Sequence, residues 1–381
     1  MIRISRKIIL CGLTALLASI QLFAAPVSAP IAAPINLPDL TFTGYVDTSY
    51  NYLARKNVFT SGRYSRGNDI EPNGFTLQQV AFTLANQPRQ GLGGLLNMIA
   101  GRDANSLADA GQNPYFGSQT LAIQPEQVYL QYAISQFTFL GGKFNSLAGY
   151  ESFDPTQNDN FSFSELNTFA EPGTVIGFRG SYAALETLTL SAGLDNGWDT
   201  FHHASRLQTL ELGSQWTPNK ILSMTIDFYS GKQYLYDSLS NGPVGIRNYA
   251  NFFATLNATG KLKFALDASY AIQSKGLLPN QSAGRVAWSG LTGYITYHLT
   301  ERWFTSVRSD LFDDGNGFRT GVRQCLKELT VTLGFKPFKQ LLLRAETRRD
   351  FSNQNSFVNN NTVSASNNLQ SFAIEGLYIF S

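Results

Sequence analysis

The stretch that decides the fold is LTVTLGFKPFKQLLLRAETRRD, residues 329–350. Apolar and polar side chains alternate along it with a period of two, which is typical of a β-strand and not of a helix, whose period is about 3.6. In its second half three apolar side chains alternate with three charged ones, namely Leu341, Leu343 and Ala345 with Arg344, Glu346 and Arg348. The stretch therefore predicts two strands joined by a turn at residues 337–339, each with one apolar and one polar face.

The same two-faced pattern recurs from residue 41 to the C-terminus and predicts sixteen strands, most of them about 9 to 13 residues long. Tight turns alternate with long polar loops, so every long loop lies at the same end of the strands. Strands of soluble proteins average roughly 5 or 6 residues, whereas a tilted strand needs about 9 to 11 to cross a bilayer. The pattern predicts an all-β fold, a transmembrane antiparallel up-and-down β-barrel of sixteen strands with short periplasmic turns and long external loops.

The N-terminal residues indicate export. Arg3, Arg6 and Lys7 precede a short apolar run, and small residues follow around Ala24 and Ala25, which is the pattern of a secretory signal peptide. We expect a signal peptide over residues 1–25, a Pro-rich lead over residues 26–40 and an outer-membrane barrel over residues 41–381. The expected location is the outer membrane of a Gram-negative-type bacterium.

The composition excludes several classes of function. Lys and Arg total 29 against 27 Asp and Glu, so no basic excess favours nucleic-acid binding. No metal-ligand cluster or nucleotide motif is present, and we expect no cofactor. The chain has 13% aromatic and only 15% charged residues, which suits a barrel with lipid as a partner on its outer face.

The two faces of the strands can be assigned from this fold class. In an outer-membrane barrel the apolar side faces lipid and the polar side faces the lumen. In the seventh predicted strand Leu190 and Leu194 would face lipid, and Thr189 and Ser191 the lumen. Aromatic residues near the strand ends are expected at the membrane interfaces: Tyr50, Tyr52, Tyr132, Trp216, Tyr297, Trp303, Tyr378 and Phe380.

Two segments near the N-terminus carry a family resemblance. The first strand FTGYVDTSYNYL and the following NGFTLQQVAFTLANQP resemble the opening hairpin of the OmpL-like β-barrel porin family, a resemblance that would cover nearly the whole mature chain. The resemblance implies a passive outer-membrane channel without catalytic residues. The terminal strand, which closes on Phe380, resembles the strand that the barrel-assembly machinery recognises, although Ser381 follows it here. A sixteen-stranded barrel is also compatible with a homotrimer.

The third external loop, residues 146–173, is the longest and resembles in its position the loop that narrows general porins. It contains no Lys or Arg and five acidic residues, Glu151, Asp154, Asp159, Glu165 and Glu171, which we assign to a pore constriction. Basic residues expected on the facing wall are Lys143, Arg179, Arg308, Arg344 and Arg348. Such an arrangement would place a transverse field across the pore. The alternative is an external, solvated loop without influence on the pore, and the general-porin motif PEFGG is absent.

The leading hypothesis is a porin for passive diffusion of small hydrophilic solutes and ions, and not an enzyme. The alternatives are an outer-membrane hydrolase, such as a barrel protease or phospholipase, and a surface adhesin or receptor. A hydrolase would need a histidine beside a carboxylate or a serine. The candidates are His202, His203 and His298, of which the first two follow Asp195 and Asp199 on one loop.

Overall fold

The computed structural model describes residues 40–67, 73–106, 116–118, 121–199, 208–234, 244–280, 282–359 and 364–380. Sixteen long antiparallel strands run through these segments. Their bounds are β1 Thr41–Leu53, β2 Gly74–Asn86, β3 Gly91–Gly101, β4 Leu121–Ile134, β5 Phe137–Asn145, β6 Thr174–Leu185, β7 Leu188–Asp195, β8 Thr209–Trp216, β9 Leu222–Tyr234, β10 Val244–Asn257, β11 Leu262–Leu277, β12 Ala283–His298, β13 Trp303–Asp314, β14 Gln324–Phe338, β15 Leu341–Ser352 and β16 Asn368–Phe380. The expected number of strands is confirmed.

The sheet closes on itself. Strand β1 pairs with β16 from Gly44 opposite Phe380 to Leu53 opposite Ser371, and it pairs with β2 on its other side. Every long strand therefore has two hydrogen-bonded neighbours, and the barrel has no free edge on which another chain could pair. The expected all-β barrel is confirmed.

Short elements lie between the long strands. They are the strands Phe116–Ser118, Phe357–Val358 and Ala365–Ser366, helix α1 at Asp103–Ser106, a 3-10 turn at Pro155–Gln157 and helix α2 at Glu165–Phe169. Among the described residues, no helix is both long enough and apolar enough to span a membrane. The predicted signal peptide and all but the last residue of the Pro-rich lead lie outside the described residues.

The two faces of the strands differ as the alternation predicts. On β15 the side chain of Leu343 is 38% exposed and that of its neighbour Arg344 only 2%. On β7, Leu190 and Leu194 are exposed at 43% and 59%. An apolar exterior around a polar interior inverts the usual arrangement of soluble proteins and is typical of a barrel with lipid outside.

Several connections differ from the sequence prediction, among them the last tight turn and the sixth long loop. Strand β14 continues through Pro337 to Phe338, which pairs with Leu341, so the turn is at residues 339–340 and not at 337–339. Pro337 lies within a register shift, where a residue without an N–H is tolerated. The sixth long loop, predicted at about residues 274–285, spans only residues 278–282, because β11 and β12 keep pairing as far as Leu277 and Ala283.

Candidate functional site

The loop at residues 146–173 turns from the end of β5 into the interior of the barrel. Close to its start the backbone N–H of Leu147 donates to the hydroxyl of Tyr229 at 2.8 Å. The N–H of Tyr150 then donates to a carboxylate oxygen of Asp267 at 2.7 Å. Both acceptors lie on buried positions of β9 and β11, so the loop crosses the inner face of the wall and does not extend outward.

The tip of the loop is bound through its backbone by Arg344 on β15. The guanidinium donates to the carbonyl oxygens of Asn158 at 2.7 Å, Asn160 at 2.9 Å and Pro155 at 3.3 Å. Its remaining donors bind the carboxylate of Glu375 on the neighbouring strand β16. A guanidinium has five N–H donors in a fixed plane, so one arginine can bind a wall carboxylate and several loop carbonyls together.

Glu346, two residues farther along β15, binds the same part of the loop with the opposite polarity. Its carboxylate accepts the backbone N–H of Phe161 at 2.8 Å and of Ser162 at 3.1 Å, and also the Ser162 hydroxyl at 2.6 Å. Arg344 binds carbonyl groups of the tip while Glu346 binds its amide groups. The charges that alternate along β15 therefore anchor a polypeptide segment.

Three of the five acidic loop residues form ion pairs with the wall: Glu151 with Arg308 at 2.7 Å, Asp159 with Lys263 at 2.5 Å and Glu165 with Arg348 at 2.7 Å. Burial opposes the charged form of Asp159, but the Lys263 ammonium and the Thr296 hydroxyl hold the pKa of that carboxyl below its usual range. In these three pairs the opposite charges are in direct contact. Lys263 is not one of the five wall bases predicted from the sequence.

The other two acidic residues are held differently. Asp154 accepts the N–H of Thr156 at 2.9 Å and caps the 3-10 turn. Glu171 is 7% exposed and accepts a long hydrogen bond of 3.4 Å from Asn251. Burial, together with the nearby carboxyl of Asp267, raises the pKa of Glu171 well above its usual range. Glu171 thus lies buried between the loop and the wall, where its neutral form is favoured.

The remaining predicted wall bases have partners on the strands. Arg179 forms a double ion pair with Glu211 on β8, at 2.5 and 2.7 Å, and its guanidinium lies 4.4 Å above the Phe144 ring. The Lys143 ammonium donates to the carbonyl of Pro125 at 3.1 Å. Of the five predicted bases, the described contacts therefore bring Arg308, Arg344 and Arg348 to the loop.

An aromatic cluster holds helix α2 on the long-loop side of these contacts. The Phe169 ring packs against Phe59 and Phe312 at centroid distances of 6.0 and 5.7 Å. The indole N–H of Trp288 donates to the carbonyl of Ala170 at 3.1 Å. Apolar packing at the end of the loop thus adds to the polar anchors at its tip.

An open space remains beside the loop, against β7, β8 and β9. It is a cavity of about 310 Å³, bounded on one side by the first third of the loop together with Asn167, Pro172 and Gly173, and on the other by Thr189, Ser191, Gln215 and Thr225. These wall residues lie close to the tight turns. The loop thus leaves space on one side of the lumen while it is bound tightly to β13 and β15 on the other.

The histidine positions favoured by the hydrolase alternative are only partly described. His202 and His203 lie outside the described residues. His298 is exposed at the end of β12, where its ring lies 5.8 Å from that of Phe304. In the part of the chain that the structure describes, no three His, Cys, Asp or Glu side chains are placed to hold a metal ion.

The closed barrel with an inward loop defines the class as a porin-type β-barrel. The chain belongs to the family described as "putative beta-barrel porin-2, OmpL-like", whose model matches residues 39–380. The resemblance seen in the sequence is thereby confirmed. No curated protein sequence matches the chain.

Solved structures share the fold at low sequence identity. The outer membrane channel DcaP of Acinetobacter baumannii superposes with a TM-score of 0.61 at 14% identity, covering 90% of this chain and 97% of that one. An anion-selective porin from Comamonas acidovorans gives a TM-score of 0.62 at 10% identity, with 90% and 99% coverage. The trimer form of OmpT from Vibrio cholerae gives 0.54 at 10% identity, also with 90% and 99% coverage.

Proposed function

We propose that this protein is a diffusion porin, a water-filled outer-membrane channel for small hydrophilic solutes and ions, and that it has no catalytic activity. The observation that carries the proposal is the closed sixteen-stranded barrel with a polar interior. A barrel of about eight strands is filled by its own side chains, whereas about sixteen leave an aqueous channel. Membership of a porin family supports the same conclusion.

Within this channel the loop at residues 146–173 acts as the constriction. Its path is held by five acidic residues of the loop: Glu151, Asp154, Asp159, Glu165 and Glu171. Three arginines bind the loop to the wall, namely Arg308, Arg344 and Arg348. The neighbouring wall is lined by Lys143 and Arg179. Because opposite charges are paired in contact, little net field remains across the open side. We expect ions of both signs to pass, with weak selectivity.

The cellular setting belongs to the same proposal. A signal peptide at residues 1–25 exports the chain, and the barrel-assembly machinery recognises the terminal strand that ends in Phe380. Lipid then surrounds the apolar face. The trimer form of OmpT supports a homotrimer for this chain as well. No contact of the described residues favours the hydrolase or the adhesin alternative.

The test is the ionic current through a planar lipid bilayer after addition of the purified, folded protein. A diffusion porin produces stepwise conductance increments that are proportional to voltage. Protein that inserts and folds but conducts no current would overturn the proposal.

A further inference from the structure

The cavity beside the loop lies between two chemically distinct walls. Strands β7, β8 and β9 contribute the hydroxyls of Thr189, Ser191 and Thr225 and the amide of Gln215. Thr189, Ser191 and Thr225 alternate in sequence with apolar residues that face outward, so they point into the barrel. Gln215 lies on the same face of its strand as the buried Thr209 and Glu211 and points inward as well. This wall offers donors and acceptors but no charge.

The loop contributes the opposite wall. Its lining part holds the rings of Tyr150 and Phe153, the amide of Asn167 and the hydroxyls of Ser146 and Ser152. Flat rings beside hydroxyl and amide groups suit a ligand that has both apolar C–H faces and many hydroxyl groups.

Among the described residues of the lining, only Glu151 is charged, and its carboxylate is already bound. One oxygen accepts from Arg308 at 2.7 Å and the other from the backbone N–H of Ser164 at 2.8 Å. A charged solute would thus lose water without gaining a counter-charge from the lining. The cavity favours an uncharged ligand.

From this geometry we infer that the cavity is a binding site for an uncharged, polyhydroxylated solute of monosaccharide size, such as a neutral sugar. Its volume of about 310 Å³ is at the lower end of ligand pockets, which span roughly 300–1,000 Å³. The inference rests on the proposed function, because such a solute reaches the site only through an open lumen. Binding in the cavity would delay this class of solute, whereas the rest of the channel selects solutes by size.

The test measures interruptions of the single-channel potassium chloride current by glucose, compared with gluconate and glucosamine, which have similar size but carry opposite charges. We expect glucose to interrupt the current at lower concentration than either charged analogue. The variant Thr225→Val removes one hydroxyl at nearly constant shape and should weaken the glucose effect roughly two- to tenfold. The double variant Gln215→Leu with Thr225→Val should weaken it further.

The control is Thr347→Val, which makes the same change on the outward face of β15, where Thr347 is exposed. Its glucose response should equal that of the parent protein. The inference is overturned if the channel conducts but glucose acts no better than its charged analogues, or if Thr225→Val responds like the control. A protein that conducts no current at all would instead overturn the proposed function, and the inference with it.

Discussion

Arg308 on β13 donates from Nη1 to Oε1 of Glu151 in the long inward loop at 2.7 Å, across 157 positions of the chain. The two side chains are 0% and 4% exposed. Arg308 also binds Glu328 on the adjacent strand at 3.0 Å. One guanidinium thus joins two wall strands and the loop, and buried pairs of this kind are costly to break from one side.

Replacing Arg348 by Met should release the loop. The guanidinium binds Glu165 at 2.7 Å and the carbonyl of Phe163 at 2.5 Å. Its loss leaves buried carboxyl groups without their cation, which should destabilise the docked state of the loop by roughly 3–5 kcal/mol. We expect faster cleavage of the folded protein by a glutamyl endopeptidase and a larger single-channel conductance.

The matched control for that change is Arg349→Met. Arg349 is the next residue but points outward, and its guanidinium lies 4.8 Å above the Phe351 ring. We expect cleavage and conductance like those of the parent. Equal protease resistance of the two variants would contradict the anchoring role of Arg348.

The docked loop should respond to pH through Glu171. Burial, followed by the nearby carboxyls of Asp267, Glu151 and Asp227, raises its pKa in the folded protein. A raised pKa means that the folded state holds the proton more tightly than the unfolded one, so this contribution to stability is complete below the ordinary pKa. It is lost as the pH rises through the raised pKa. We expect conductance and loop cleavage to increase towards alkaline pH.

Glu171→Gln removes this titration while it keeps the shape of the side chain. The pH response of the conductance should flatten in this variant. Glu186→Gln, an exposed change in the tight turn after β6, should retain the response of the parent. An undiminished pH response in Glu171→Gln would show that another group controls the loop.

Gly149 should be intolerant of any side chain. It has a φ of +90°, and an added Cβ would meet the carboxylate of Glu171. Gly149→Ala should therefore weaken loop docking by about 1–3 kcal/mol, visible as faster proteolysis of the loop. Gly260→Ala, in a tight turn where a Cβ meets nothing within 4 Å, is the control. Similar proteolysis of both variants would show that the docked loop accommodates a side chain at residue 149.

Phe380 should be needed for assembly of the barrel. Its ring lies 6.5 Å from that of Phe42 and covers Gly44, at the seam between β1 and β16. Phe380→Ala should reduce the heat-sensitive, folded form of the protein in outer membranes, as measured by gel migration. Phe372→Ala removes an outward ring that is 44% exposed on the same strand and should reduce it less. A larger loss of folded protein in Phe372→Ala than in Phe380→Ala would contradict a special role for the terminal aromatic residue.

The alternation of side chains predicts which way each residue of β15 points, and the structure agrees at Leu343 and Arg344. It does not predict what the inward charges bind. Glu346 accepts the backbone amide of Phe161, which lies 185 positions away, and backbone amides have no signature in the sequence. The pairing of Lys263 with Asp159 was missed for a related reason, because the path of the loop across the lumen decides which base it meets.

The central claim is that the loop at residues 146–173, bound to the wall by Arg308, Arg344 and Arg348, sets the width of a conducting channel. The most direct measurement compares single-channel conductance and the cut-off for sized neutral polymers before and after residues 152–163 are replaced by a short Gly-Ser linker. A Gly-Ser linker of the same length inserted in the tight turn between Asn257 and Leu262, which joins β10 and β11, is the control. We expect the parent to conduct and to exclude the larger polymers, and only the first variant to conduct more and to admit them. An unchanged conductance and cut-off in the first variant would show that the loop does not set the width of the channel.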